Sequence, residues 1–238
     1  MLIQQLPYRH PLRRYLHCHP RPGAVPSASV AALLSWWPPK DFTDDVIDAI
    51  AECKSVCKVI HLPLQSGSTD VLNLMNRRYS KESYLELVEK IRNKIPNVTF
   101  STDIIVGFPG ETEEDFLDTL DVVKKVRFEQ VFMFIYSIRK GTKAETMLNH
   151  VPDDVKSERF NRLKALADKI TEEENEKYVG TVQKVLVEGV SKTNENVLTG
   201  RTKSSKVVNF AGDKNLIGKE IDIHIVSQHI WYLKGEII

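Results

Sequence analysis

His61-Leu62-Pro63-Leu64-Gln65-Ser66-Gly67-Ser68 and, further along, Thr102-Asp103-Ile104-Ile105-Val106-Gly107-Phe108-Pro109-Gly110-Glu111-Thr112 decide the fold. Each is an apolar run that breaks into a turn of Gly, Ser or Pro and then opens a helix. This is the strand–loop–helix grammar of an α/β barrel or doubly wound sheet. In such folds the ligand-handling groups ride on loops at the carboxyl ends of the strands. Two successive loops of small residues point to one ligand approached closely by backbone.

Working outward, the regular pattern starts near Asp41. A helix is expected from Thr43 to Cys53, then a buried strand over Cys57–Leu64 and a short helix over Asp70–Asn76. Ser80 opens another helix, with Tyr84, Leu87, Val88 and Ile91 on one face. A second strand follows over Val98–Val106. Thr112-Glu113-Glu114-Asp115 places acids in the first turn of the next helix, where the macrodipole favours them. Phe116, Leu120, Val123 and Val126 form its apolar stripe, and Gln130–Tyr136 is a third strand. Helical crossovers make these three strands parallel. A long helix runs from Pro152 to about Lys177, with Val155, Leu163, Leu166 and Ile170 inward and Glu172–Glu174 on a solvated face.

After Gly180 the period changes to short alternating strands: Val182–Val190, Val197–Arg201, Val207–Phe210, Glu220–Val226 and Trp231–Ile238. Five short strands with polar turns predict a small OB-like β-barrel. The expected organisation is therefore residues 1–39 as a foreign segment, 40–150 as a partial parallel barrel, 151–176 as a connecting helix and 177–238 as the β-barrel.

Charge is uneven although the whole chain carries only +1. Residues 1–39 hold four Arg and no Lys, Asp or Glu; residues 40–176 hold 20 basic and 26 acidic side chains; residues 177–238 hold 9 and 6. An acidic body joined to a basic tail fits a catalytic unit with an appendage that touches a polyanion. Seven of the eleven prolines fall in residues 1–39, which have no surviving helical or strand period. A transit peptide, a disordered tail and a frame-shifted start are the candidate readings there, with the abrupt change at Pro39-Lys40-Asp41 favouring the last. No apolar run reaches the ~18 residues needed to span a bilayer. The three cysteines, Cys18, Cys53 and Cys57, lack framework spacing, which fits a reducing compartment and a cytoplasmic location.

Four motifs carry candidate chemistry. His61, Gln65, Ser66 and Ser68 ride the first loop. In Gly107-Phe108-Pro109-Gly110-Glu111 the glycines admit close backbone approach, and Glu111 either bonds a nucleoside or braces the loop. It is neither a dinucleotide fingerprint nor a P-loop. Ser137-Ile138-Arg139-Lys140-Gly141-Thr142-Lys143-Ala144 ends the third strand, where Arg139 either meets a carboxylate or phosphate or is a solvated cation. Gly200-Arg201-Thr202-Lys203-Ser204-Ser205-Lys206-Val207-Val208-Asn209-Phe210 sets three cations and an aromatic across a turn of the tail barrel, a surface type that binds RNA.

Taken in this order, the motifs resemble the MiaB-type tRNA methylthiotransferases of the radical S-adenosylmethionine (SAM) superfamily, from about Pro39 onward. The resemblance implies an α/β fold: half of a radical SAM parallel βα barrel, then a small OB-like barrel called TRAM. It implies 2-methylthiolation of an isopentenyl-adenosine next to the tRNA anticodon, with SAM and 4Fe–4S clusters as cofactors and tRNA as partner. Gln65, Ser66, Gly107, Glu111, Ser137 and Arg139 are then expected near SAM, and Arg201, Lys203, Lys206 and Phe210 toward tRNA. The sequence has no CxxxCxxC, so no catalytic residue or metal ligand is assigned. The chain alone is expected to be inactive, a complementary N-terminal chain would be needed for catalysis, and no membrane partner is expected. The alternative is a non-catalytic RNA-binding protein that uses only its TRAM barrel.

Overall fold

The computed structural model describes Pro39 and residues 42–53, 56–192 and 194–238. The expectations for residues 1–38 lie outside these. The chain opens with α1 (Asp44–Glu52), whose first turn carries Asp44 and Asp45 and whose Val46, Ile47 and Ile50 are buried. Lys58 closes its C-terminus by donating to the carbonyls of Ile50, Ala51 (3.2 Å) and Cys53 (3.1 Å). A cation at that position complements the helix dipole. Cys53 is buried and Cys57 is half-buried with a free thiol.

There follow β1 (Val59–His61), α2 (Thr69–Leu74), α3 (Lys81–Lys94), β2 (Thr99–Val106), α4 (Glu113–Val126) and β3 (Gln130–Ile135). The strands form one parallel sheet in the order β1-β2-β3. Ile60 pairs with Phe100, and Val106 with Ile135. Ser80 with Ser83, and Thr112 with Asp115, make reciprocal capping boxes that start α3 and α4.

The first strand is shorter than Cys57–Leu64, for a local reason. Pro63 has no N–H to give, the Leu64 N–H goes to the Thr102 hydroxyl (2.9 Å), and Gln65 turns to φ 67°. The ladder resumes only as a single bridge between Gln65 and Ile104.

Phe100, Thr102, Ile104 and Val106 of β2 are buried on one face of the sheet. They share a core with Tyr84, Phe116 and Phe128, all fully enclosed. The other face carries His61, Ser101, Asp103 and Phe132. His61 sits 3.0 Å from Ser101 Oγ and 3.3 Å from Asp103 Oδ2, with its ring against Phe132. Central strands of parallel sheets are ordinarily covered on both faces. Here the second face is only half-covered, with Phe132 and Phe134 exposed.

Helix α5 (Asp153–Glu176) crosses behind the sheet, burying Leu163 and Ile170, with Val155 and Leu166 half-buried. Its acidic run is not wholly solvated: Arg127 binds Glu173 (2.7 Å) and Glu174 (2.6 Å). The helix leads into β4 (Val182–Val190), β5 (Val197–Thr202), β6 (Val207–Ala211), β7 (Glu220–His229) and β8 (Tyr232–Ile237). These close into a five-stranded barrel, β4-β5-β6-β8-β7, around Val185, Val187, Leu198, Val208, Phe210, Ile223, Ile225 and Leu233. No helix among the described residues is long and apolar enough to cross a membrane.

Candidate functional site

The three strand-end motifs leave the sheet side by side, because Gln65 bridges Ile104 and Val106 pairs with Ile135. Gln65 is buried; its N–H donates to the Asp103 carbonyl (2.8 Å) and its carbonyl accepts from Ile105 (2.9 Å). Ser66 is fully enclosed, with Oγ accepting from the Ser68 N–H (3.2 Å) and lying 3.4 Å from Thr119 Oγ1. A Cβ on Gly67 would fall 2.4 Å from Thr119 Cα, so only glycine lets the loop seat against α4. Ser68 caps α2 and donates to Asp115 at 2.5 Å. The first loop is thus tied to helices mainly through its serines.

Gly107 has φ 75°, and a Cβ there would meet Lys156 Cγ at 2.3 Å. Its N–H donates to Glu111 Oε1 (3.0 Å), and the same oxygen receives Arg159 Nη1 (2.8 Å). Burial pushes the Glu111 carboxyl above its ordinary range, against the opposing pull of the Gly107 N–H and Arg159. Arg159 also lies over the Phe116 ring and reaches Glu113 at 3.3 Å. Glu111 therefore braces its own loop. Ser137 and Arg139 are exposed beyond β3 and present their polar groups outward. Just before them, the Tyr136 ring packs between Phe108 (5.2 Å) and His150 (6.3 Å).

On the barrel, Arg201 and Lys203 are exposed. Arg201 meets Glu188 at 3.2 Å and donates to the Ser205 carbonyl at 3.1 Å. Two of the expected RNA-facing residues stand elsewhere. Lys206 is turned to the sheet and forms an ion pair with Glu129, both side chains largely withdrawn from water. Phe210 is 2% exposed, because β6 alternates and its Val208 and Phe210 face inward; its ring is core and has no free face for a base. Between the barrel, β3 and α5 lies a cleft of about 400 Å³, lined among others by Gln130, Asn175, Arg201, Lys206, Trp231 and Tyr232.

Residues 37–123 match the Radical SAM superfamily, and residues 176–238 match the TRAM domain. The chain thus carries a radical SAM segment followed by a TRAM domain. A relative from Clostridium botulinum (strain Okra / Type B1), named tRNA-2-methylthio-N(6)-dimethylallyladenosine synthase, is 54% identical over 198 residues, covering 83% of this chain and 44% of the relative. A protein of the same name from Acetivibrio thermocellus is 53% identical over 200 residues, covering 84% of this chain and 42% of the relative. The chain thus spans less than half the length of the curated relatives it matches. Among solved structures, the radical SAM enzyme coproporphyrinogen III oxidase (HemN) from Escherichia coli is similar at TM-score 0.47 and 16% identity, over 70% of this chain and 45% of that one.

The superfamily implies SAM and an iron–sulfur cluster. The described residues do not fit a cluster: they hold no group of three or more His, Cys, Asp or Glu able to bind a metal. Arg159, Lys156, Asn175 and Trp231 were not marked by the sequence motifs. Arg159 had a visible signal, since it falls on the Val155–Leu163–Ile170 stripe at helical spacing, where a cation needs a buried partner.

Proposed function

We propose that this chain is the C-terminal portion of a tRNA methylthiotransferase acting on dimethylallyl-adenosine, and that its TRAM barrel binds tRNA. The observation that carries the reading is the 54% identity over 198 residues in a chain that carries both a radical SAM segment and a TRAM domain. In this reading Gln65 and Gly107 let the chain pass close to SAM without lending it their backbone N–H groups, which Asp103 and Glu111 already hold, while Ser137 and Arg139 offer side chains to its polar groups. Ser66 and Glu111 shape the same loops from behind, through Thr119 and Arg159. SAM would supply the methyl group and the radical precursor. Cluster thiolates would have to come from outside the described residues, as from a complementary N-terminal chain. RNA binding without catalysis is the second reading, favoured by a barrel closed around a core of its own. Iron uptake on anaerobic reconstitution with a complementary chain that carries the cluster thiolates separates the two: the first reading expects a cluster in the reconstituted pair, and the second requires none.

RNA affinity tests what both readings share. Arg201 and Lys203 should release counterions from the phosphate backbone, so binding of an anticodon stem-loop should weaken steeply between about 50 and about 200 mM salt. Replacing both with Ser should lower affinity and reduce the logarithmic salt slope by about 2. Affinity and slope unchanged in the folded double variant would remove these side chains from the interface. No binding by the unaltered chain would overturn the RNA reading.

A further inference from the structure

Trp231 stands at the second position of the two-residue turn between β7 and β8 and is 66% exposed. Turns of this length ordinarily favour Asn-Gly or Gly, because they need positive φ. Neither Ile230 nor Trp231 adopts positive φ, so turn chemistry does not account for an indole there. The rings of His229 and Tyr232 stack beneath the turn at 4.5 Å and stiffen it. Asn175 of α5 holds the turn from the other side, its Nδ2 donating to the carbonyls of His229 (2.8 Å) and Ile230 (3.2 Å). Asn175 is 1% exposed, yet its Oδ1 has no hydrogen-bond partner among the described residues, and the residue lines the cleft beside Trp231. A buried acceptor left bare is destabilising and marks a place for an incoming donor. Arg201 lines the cleft as well.

We propose that this cleft is a pocket for one unpaired RNA base, with Trp231 as its stacking face, Asn175 Oδ1 as acceptor for a base N–H, and Arg201 as the contact for the adjoining phosphate. The proposal rests on the RNA reading of the barrel. Single-stranded RNA is read in this way, by stacking on aromatic rings and hydrogen bonds to exposed base edges. Every base has a face to stack, but only an edge that presents an N–H satisfies Asn175. The pocket selects an amino or imino edge rather than a particular sequence. Its walls come from both the sheet layer and the barrel, so a bound base would bridge them.

The test uses the full chain and a single-stranded RNA heptamer with 2-aminopurine at its centre, beside the same heptamer made abasic there. The 2-aminopurine fluorescence should be quenched on binding, and the abasic strand should bind roughly tenfold more weakly. Trp231→Ala should weaken the intact heptamer by a similar factor without changing the salt slope, whereas Trp231→Phe should retain most of the affinity. The turn is exposed, so the melting temperature of both variants should stay at that of the unaltered chain. Equal affinity for the abasic heptamer would overturn the proposal in favour of a groove for an extended chain, as the edge of β3, unpaired among the described residues, would provide. Unchanged binding by Trp231→Ala, with a reduced slope in the Arg201 and Lys203 double variant, would overturn the pocket and leave the RNA reading standing. Absence of binding by the unaltered chain would overturn both.

Discussion

Arg159 and Glu111 meet at 2.8 Å with side chains only 6% and 2% exposed. A pair so far from water is weak evidence of net stability, but removing one member leaves the other charged and bare, at about 3–5 kcal/mol. The sign of the pH dependence follows from Glu111. Burial raises its pKa in the folded chain above the ordinary carboxylate value, with the Gly107 N–H and Arg159 pulling the other way. The folded state therefore holds this proton more tightly than the unfolded state. Its contribution to stability is full below the unfolded pKa and is lost as pH rises through the folded one. Without Arg159 that folded value climbs further. Arg159→Ala should thus lose more stability at about pH 8 than at about pH 5, read from denaturant midpoints at both. Arg159→Lys keeps the charge but not the fork that spans Glu111 and Glu113, and should fall between. An equal loss at both pH values would place the effect in the packing of the guanidinium over Phe116 instead.

At the scale of elements, closure separates the two sheets. The barrel has no free edge, and Gly235 lets its wall close tightly, since a Cβ there would lie 2.3 Å from Ile223 Cγ2. We expect residues 177–238 to fold alone and melt in one cooperative step by circular dichroism, despite a size near the lower limit of about 60 residues. A broad, non-cooperative melt would show that the barrel depends on α5. These strands are legible in the sequence because inward and outward positions alternate along most of each, and the observed bounds of β4 are those the pattern gives; β7 runs past the expected Val226 to His229, through an irregularity between Ile225 and Ser227 that breaks the alternation. The parallel strands were legible as apolar runs, but Cys57–Leu64 was read too long because the Pro63–Gln65 turn keeps apolar side chains while leaving the ladder. Phe210 was misplaced by its nearness to the cations, although Val208 and Phe210 share one face at period two and Lys206 lies on that same parity. The contacts of Lys206 and Asn175 were not legible at all, since their partners, Glu129 and the His229–Ile230 carbonyls, lie far away in sequence.

Across the whole molecule, α5 joins the two candidate surfaces. Lys156 and Arg159 fix the Gly107–Glu111 loop near its start, and Asn175 fixes the Trp231 turn at its end. Lys156 and Asn175 stand nineteen helical steps apart on one continuous helix, a span of about 28 Å at ~1.5 Å per step. The spacing between strand-end loops and RNA cleft is therefore set by a rigid rod. Beside the Asn175 contacts, the Lys206–Glu129 pair ties the β5–β6 turn to the sheet layer at the end of that rod, and we expect it to hold the barrel's orientation. Its side chains are 11% and 16% exposed, so solvent screens them little. Lys206→Met alone should leave Glu129 unpaired at the interface and cost about 1–3 kcal/mol. Adding Glu129→Met removes the stranded charge and should recover most of that loss, because two apolar groups of similar volume can replace a buried pair at little net change. Amide exchange reports where the loss falls. In Lys206→Met, exchange should quicken at residues 175–180 and at Ile230 and Trp231, while Val185, Val187 and Ile223 in the barrel core keep their protection. If the double variant is no more stable than the single, or if exchange quickens evenly through the barrel, the pair stabilises the barrel itself and does not orient it.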